Sequence, residues 1–486
     1  MGKRLLVLLA AAMPCALLAQ EKWTLRRSVE YAVKNNISVK QADVQLRISE
    51  LQLKQARLNQ VPSVGFNTGL GTQFGRSIDP TTNQFTTTQL LYQNLGLQGN
   101  IPIYGFGQLK HAISAARFSA EASLKDVERA ANDVSMNVAT YYLQVLAAKE
   151  QINISEVQIK QDLAQYKDTK SRVDAGALPE LNLAEIESQL ATDSISLITA
   201  KATFDQNVLS LKALLNIDAG DAFEVDTPPM DQIPLESIAD MQPDYVYQLA
   251  MANQPLQKVN ELKIKSAEKT IQANKAAMYP VLSAGYNLNS RFSNSLRTVD
   301  PSTLSVSGYR LVDGTVARYN NMDLPVYNAT VTYDYQSLPF GKWWGGYGRQ
   351  IKDNFSQAVG LTLSVPIFNS GNTTRINYQQ SVLNLKNLQL QKDQANQDLQ
   401  QNIYKAHVNA VSAMQKYYAG ERSVVTAQKA YDFATKRYEV GLLSSIDLLT
   451  NQNNLLKAKL QQLSNQYEYV FRMKLLEFYK GQGLKL

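Results

Sequence analysis

GFGQLKHAISAARFSAEASLKDVERAANDVSMNVATYYLQVLAAKEQINISEVQIKQDLAQYKDTKSRVDAG, residues 105–176, decides the fold. At helical spacing an apolar stripe runs through it: Leu124, Val127, Ala131, Val134, Val138, Tyr141, Val145, Ala148 and Ile152. Steps of three and four alternate, so the mean period is about 3.5, that of a coiled-coil seam. No proline interrupts the stretch, and no glycine falls between Gly107 and Gly176. A helix over 106–174 is expected, a rod roughly 100 Å long at about 1.5 Å per residue. A globular helix is usually about 8–20 residues. A rod of this length must bridge two places. It ends at Asp174-Ala175-Gly176, where glycine suits a left-handed C′ position. Pro179 and Glu180 open the next helix, 180–215, with a ring preset for the first turn and a carboxylate at the positive pole.

Upstream, residues 24–60 read as helix with a break around Asn35-Asn36, ended by Pro62. A strand near 63–71 then alternates strictly: Val64, Phe66, Thr68 and Leu70 against Gly65, Asn67, Gly69 and Gly71. After a loop over 72–88 comes a second strand near 91–103, with Leu95, Leu97, Ile101 and Ile103 on one side. Downstream, 216–243 is an acidic hinge holding Pro228, Pro229 and Pro234.

The whole order then recurs. Residues 244–279 read as helix, and Pro280 takes the place of Pro62. A strand near 281–289 and another near 358–368 follow, separated by a long loop, 290–357. Ile101-Pro102-Ile103 is matched by Val365-Pro366-Ile367. A second rod is expected over 371–440, and Gly441 follows Pro366 at nearly the spacing of Gly176 from Pro102. A last helix, 444–479, closes the chain. Residues 21–215 and 244–486 thus read as two copies of one unit, an internal duplication.

Composition narrows the class. The chain has 486 residues, 44% hydrophobic and 19% charged, which excludes a disordered polymer. Residues 1–20 read as a secretory leader: Lys3 and Arg4, then an apolar run from Leu5 to Leu18. Cys15 is the only cysteine and falls inside that leader, so disulfide and thiol chemistry are not expected. Pro14 just before it disfavours lipidation. No stretch of 18 apolar residues follows, so no membrane-spanning helix is expected. The formal charge of +7 is mild and scattered, without a nucleic-acid footprint. His111 and His407 stand alone, no nucleophile–base or paired-carboxylate constellation appears, and neither a cofactor, a metal nor an enzymatic activity is expected.

Four strands, each apolar on one side and polar on the other, fit a membrane barrel wall with a wet lumen. Four cannot close alone, and open edges are not tolerated in lipid. Several chains must therefore contribute, eight strands from a dimer or twelve from a trimer.

This order, helix, strand, strand, long helix, Gly turn, helix, twice over, resembles the TolC family of outer-membrane efflux and secretion channels. The most specific match is Arg437-Tyr438-Glu439-Val440-Gly441-Leu442-Leu443-Ser444-Ser445-Ile446-Asp447-Leu448-Leu449, which is similar to the family's R-Y-x-x-G-x-x-x-x-x-D-L-L tip. Arg172-Val173-Asp174-Ala175-Gly176 with Leu181-Asn182-Leu183 is a weaker first copy. The resemblance implies a mainly α fold with a β-barrel portion: a homotrimer with a twelve-stranded barrel and a long antiparallel coiled-coil helical barrel. It places the chain in the outer membrane with its tunnel reaching into the periplasm. It implies a passive conduit for tripartite efflux or type I secretion, with a periplasmic adaptor and an inner-membrane pump or transporter as partners. Adaptor docking falls on Val440, Gly441 and Leu442 and on Ala175, Gly176 and Ala177, although Ala175 stands where the family has valine. The family's gate tyrosine carries over to Tyr438. Its arginine position falls on Leu443, one entrance aspartate on Asp447, and the other carboxylate positions on Thr450 and Asn182. One carboxylate ring is therefore expected, without the arginine lock. Three copies of Asp447 around an axis would favour cations; the plainer reading of Asp447 is a helix-start residue beside a Ser444 or Ser445 cap. The alternative to the whole reading is a periplasmic coiled-coil adaptor or scaffold without a pore.

Overall fold

A computed structural model describes residues 22–78, 85–86, 89–226, 235–367 and 372–481. The expected leader, Pro228, Pro229, Pro234 and Gly371 lie outside the described residues. The elements run α1 (Leu25–Asn35), α2 (Ile37–Leu58), β1 (Ser63–Gln73), β2 (Ser77–Ile78), β3 (Phe85–Thr86), β4 (Leu90–Tyr104), α3 (Gln108–Asp174) and α4 (Glu180–Leu215). They continue with α5 (Pro243–Asn253), α6 (Pro255–Ala276), β5 (Val281–Ser295), β6 (Arg297–Val299), β7 (Ser305–Tyr319), β8 (Met322–Thr332) and β9 (Tyr335–Ser337). The last are α7 (Tyr347–Asp353), β10 (Ser356–Ser364), α8 (Thr373–Glu439) and α9 (Ser445–Lys480). The fold is mainly helical with some strands. It divides into two compact units, residues 1–53, 114–269 and 380–486, and residues 54–113 and 270–379.

The helices come in matched lengths. α1 and α5 have 11 residues each, α2 and α6 have 22, α3 and α8 have 67, and α4 and α9 have 36. Local chemistry sets their ends. Thr24 accepts from the Arg27 amide to start α1. Asn36 is extended, donates from its side chain to Leu214 O at 2.8 Å and accepts from Ser38 N at 2.8 Å, so it ends one helix and starts the next. The single helix expected over 244–279 is two. Gln254 is extended because it precedes Pro255, whose ring excludes the helical region behind it and then occupies the first turn of α6.

In the helical unit the seam of α3 is buried at Val134, Val138, Val145, Ala148 and Ile152, with Val127 and Tyr141 packed against its core. Leu124 of the expected stripe is exposed instead. The centre of this core is Tyr142, 1% exposed, whose hydroxyl meets Trp23 O at 3.0 Å and Asp226 O at 2.7 Å. Trp23 also pairs as a parallel bridge with Val225 and stacks on Phe223. A second core joins Met241, Val246 and Ala250 to Ile403, Ala406, Ala410, Met473 and Leu476, where alanines let α8 approach closely.

The other unit holds a four-stranded antiparallel sheet, ordered β1-β4-β5-β10. Its register aligns like with like. Phe66 faces Leu97, Leu97 faces Leu288, Tyr286 faces Val359 and Ala284 faces Leu361. On the opposite face Asn67, Gly96 and Asn289 line up, as do Gln98 and Asn287. Gly99 has no side chain because the Tyr286 ring lies across it. β1 and β10 are the outer strands, each with one edge unpaired among the described residues.

The segment expected as one loop, 290–357, is mostly ordered structure. β5 continues to Ser295, β7 and β8 form a long ribbon, and α7 returns to the sheet. Its aromatic group makes a small core: Phe292, Leu91 and Leu296 are buried against Trp343, Tyr347 and Ile351. Trp343 donates its indole N–H to Leu338 O at 2.9 Å, and Trp344 stacks on Phe292. Alternation over short runs could not reveal this ribbon, because its apolar pattern changes phase at two bulges.

Candidate functional site: the paired helical turns

α3 turns into α4, and α8 into α9, through the same geometry. Gly176 N donates to Val173 O at 2.8 Å and Ala177 N to Arg172 O at 2.8 Å. Gly441 N donates to Tyr438 O at 2.9 Å and Leu442 N to Arg437 O at 2.8 Å. Each is a Schellman closure, with glycine at a positive φ of 72° and 74°. A Cβ at either glycine would meet nothing within 4 Å, so glycine is demanded here by backbone conformation and not by crowding. Val440 and Leu442 are 68% and 70% exposed, and Ala175 and Ala177 are exposed too. The two turns are bare apolar knobs.

The expected gate residues fall into distinct settings. Tyr438 is half-buried, its hydroxyl is buried without a partner, and its ring carries the Arg172 guanidinium at 5.9 Å. It therefore joins α8 to the last turn of α3. Arg172 pairs with Asp168 at 3.0 Å, and not with Asp174 or Glu180. Leu443 and Asn182 are half-buried, while Thr450 is exposed and bonds back to Ile446 O at 2.8 Å. Asp447 is exposed, its backbone N–H bonds to Ser444 Oγ at 3.2 Å, and its carboxylate accepts from that hydroxyl at 2.7 Å. Ser444 and Asp447 thus cap α9. Ser444→Ala is expected to loosen the first turn of α9 by about 1 kcal/mol. Faster amide hydrogen exchange at 446–449, with the α3–α4 turn unchanged, would register it.

A buried polar layer beside the turns escaped the apolar pattern. The heptad of Ala148 continues as Ser155, Asp162 and Thr169, all buried. Asp162 Oδ1 accepts from Gln158 at 2.9 Å and from Gln452 of α9 at 2.6 Å. Asp193 of α4 neighbours Asp162, is buried too, and accepts from Gln189 at 2.9 Å. Gln189 and Asn453 exchange two amide bonds at 3.0 and 3.1 Å, and Ser445 donates to Glu185 at 2.8 Å. Following the heptad register beyond its last apolar member would have found the layer. No group of three or more His, Cys, Asp or Glu side chains able to hold a metal occurs among the described residues.

The paired turns are bare and apolar, and the sheet is apolar on one face. The outer membrane efflux protein family matches residues 29–216 and 320–479, and the chain belongs to that family. It is 23% identical over 312 residues to the pyoverdine export outer membrane protein OpmQ of Pseudomonas putida, covering 62% of this chain and 61% of that one. It is 21% identical over 454 residues to the outer membrane efflux protein BepC of Brucella suis, covering 92% and 83%. The fold is similar to that of CusC, with a TM-score of 0.73 at 15% identity over 94% of this chain and 92% of that one. VceC of Vibrio cholerae matches with a TM-score of 0.70 at 13% identity over 95% and 97%. The chain is an outer-membrane efflux channel protein, and its place is the outer membrane.

Proposed function

We propose that three copies of this chain form a passive conduit, a twelve-stranded barrel continued by a helical tunnel across the periplasm. The observation that carries this reading is the single apolar face running across all four strands, with both outer edges left unpaired among the described residues. Lipid accepts such a face, and only closure against further copies satisfies such edges. The matched helix lengths support an internal duplication, each chain supplying two equivalent staves. A pore-less periplasmic adaptor would leave Phe66, Val359 and Leu361 facing water.

The knobs at Val440, Gly441 and Leu442 and at Ala175, Gly176 and Ala177 are where a periplasmic adaptor docks and brings an inner-membrane pump. Tyr438, Leu443, Asp447, Thr450 and Asn182 line the closed entrance. Selection happens upstream, so the channel passes what its pump delivers; relatives are named for export of pyoverdine and of toxins and drugs. No catalytic step is assigned to the chain.

Protein extracted from outer membranes is expected to run as a heat-dissociable trimer and to conduct ions in planar bilayers. A non-conducting monomer would refute the proposal. In the same bilayers Asp447→Ala is expected to lower cation preference; an unchanged reversal potential would leave Asp447 as a helix cap alone.

A further inference from the structure

We propose that a protonated Asp162 carboxyl, beside Asp193, forms a proton-operated clasp that ties α3, α4 and α9 together. Both carboxyls are buried, Asp162 to 1% exposure and Asp193 to 5%. A carboxylate shielded from water beside a second carboxyl is disfavoured as an ion. The donors around them define where the proton belongs. Asp162 Oδ1 already accepts two amide N–H groups, from Gln158 and Gln452. Asp162 Oδ2 is buried with no donor reaching it, and in the clasp it is the oxygen that carries the proton. The inward-facing amide N–H groups suit an acceptor and oppose a metal cation. The clasp spans three helices, because Gln452 sits on α9 and Gln189 carries the Asp193 side on to Asn453 of α9.

Among the described residues, four carboxylates on these helices are engaged elsewhere. On α3, Glu156 pairs with Lys201 of α4 at 3.5 Å and Asp168 with Arg172 at 3.0 Å. On α4, Glu185 accepts from Ser445, and on α9, Asp447 accepts from Ser444. Asp193 is the charged neighbour that acts on Asp162. Burial first, then the hydrogen bond and charge of Asp193, push the Asp162 carboxyl up to about 7. Opening would return it to water and to its ordinary value of 3.8. The closed clasp therefore keeps a proton that the open form releases between about pH 4 and pH 7. Closure weakens as pH rises through that window, by up to about tenfold per unit, and is insensitive above it. An acidic periplasm tightens the tip region, and a neutral or alkaline one loosens it.

The consequence for passage rests on the channel reading, but the clasp can be read separately. Cys15 is the only cysteine, so a Cys15→Ser background takes clean spin labels at Ser188→Cys on α4 and Asn454→Cys on α9, both exposed. Double electron–electron resonance on the full chain is expected to give a short, narrow distance at pH 5 and a longer, broader one at pH 8. Asp193→Asn, whose amide donates to Asp162 permanently, is expected to keep the short distance at both. Asp162→Asn serves the same purpose should the first variant fail to assemble. Identical distributions at pH 5 and pH 8 in the unsubstituted pair would overturn the clasp, whatever the conductance; so would a pH shift that survives both substitutions.

Discussion

Leu361→Arg is expected to keep the protein out of the membrane, lowering the inserted fraction at least about tenfold. Leu361 is 70% exposed on β10, on the face shared with Val359 and Leu363. An arginine on the lipid side of a barrel costs about 2–4 kcal/mol near the midplane. In the proposed trimer that charge appears three times, which is why the effect is large although the residue touches little of its own chain. Its neighbour supplies the control. Thr362 lies on the opposite face, paired with Ser283, and Thr362→Arg is expected to insert normally and to change conductance only. Fractionation of outer membranes, with and without heating before electrophoresis, measures both. Normal insertion of Leu361→Arg would mean that this face does not meet lipid.

The second large effect is expected far along α3 from the turns. Tyr142→Ala removes a fully buried ring and the hydroxyl that reaches the Trp23 and Asp226 carbonyls. Aromatic-to-alanine changes in cores cost about 3–5 kcal/mol. Burial pushes the Tyr142 hydroxyl pKa upward, so it remains a donor at every pH of interest. Tyr142→Phe keeps the ring and is expected to cost only about 0.5–1.5 kcal/mol. The two midpoints of urea unfolding, followed by far-ultraviolet circular dichroism, should separate widely. Coincident midpoints would mean that the hydroxyl, and not the packing, holds Trp23 to this core.

The legible parts of the chain are those where one periodicity runs uninterrupted. The α3 seam shows itself because Val134, Val138, Val145 and Ile152 are both periodic and buried. The paired turns show themselves because glycine is the residue that accepts a positive φ without penalty, and it stands at both. The hidden parts are those where a tertiary partner replaces the local signal. Asp162 and Thr169 occupy seam positions, but their polarity reads as solvent-facing until Gln452 and Asp193 are brought beside them. Trp343 and Tyr347 belong to no periodic pattern, and they gain a core only where Phe292 packs against them. The helix break at Gln254 was announced by Pro255, but the apolar spacing on either side continues and masks it.

The two unpaired margins of the sheet are different strands, β1 with 11 residues and β10 with 9. A β1 margin joined to the β10 margin of the next copy is head-to-tail, and such growth ends only when the curvature of the wall brings the last copy round to the first. In the proposed ring, size would follow from strand twist and tilt. If the proposed ring forms, a copy defective at one margin still offers a sound one, so it enters rings that it then prevents from closing. In a cell making both forms, one faulty allele would silence much of the product of the good one.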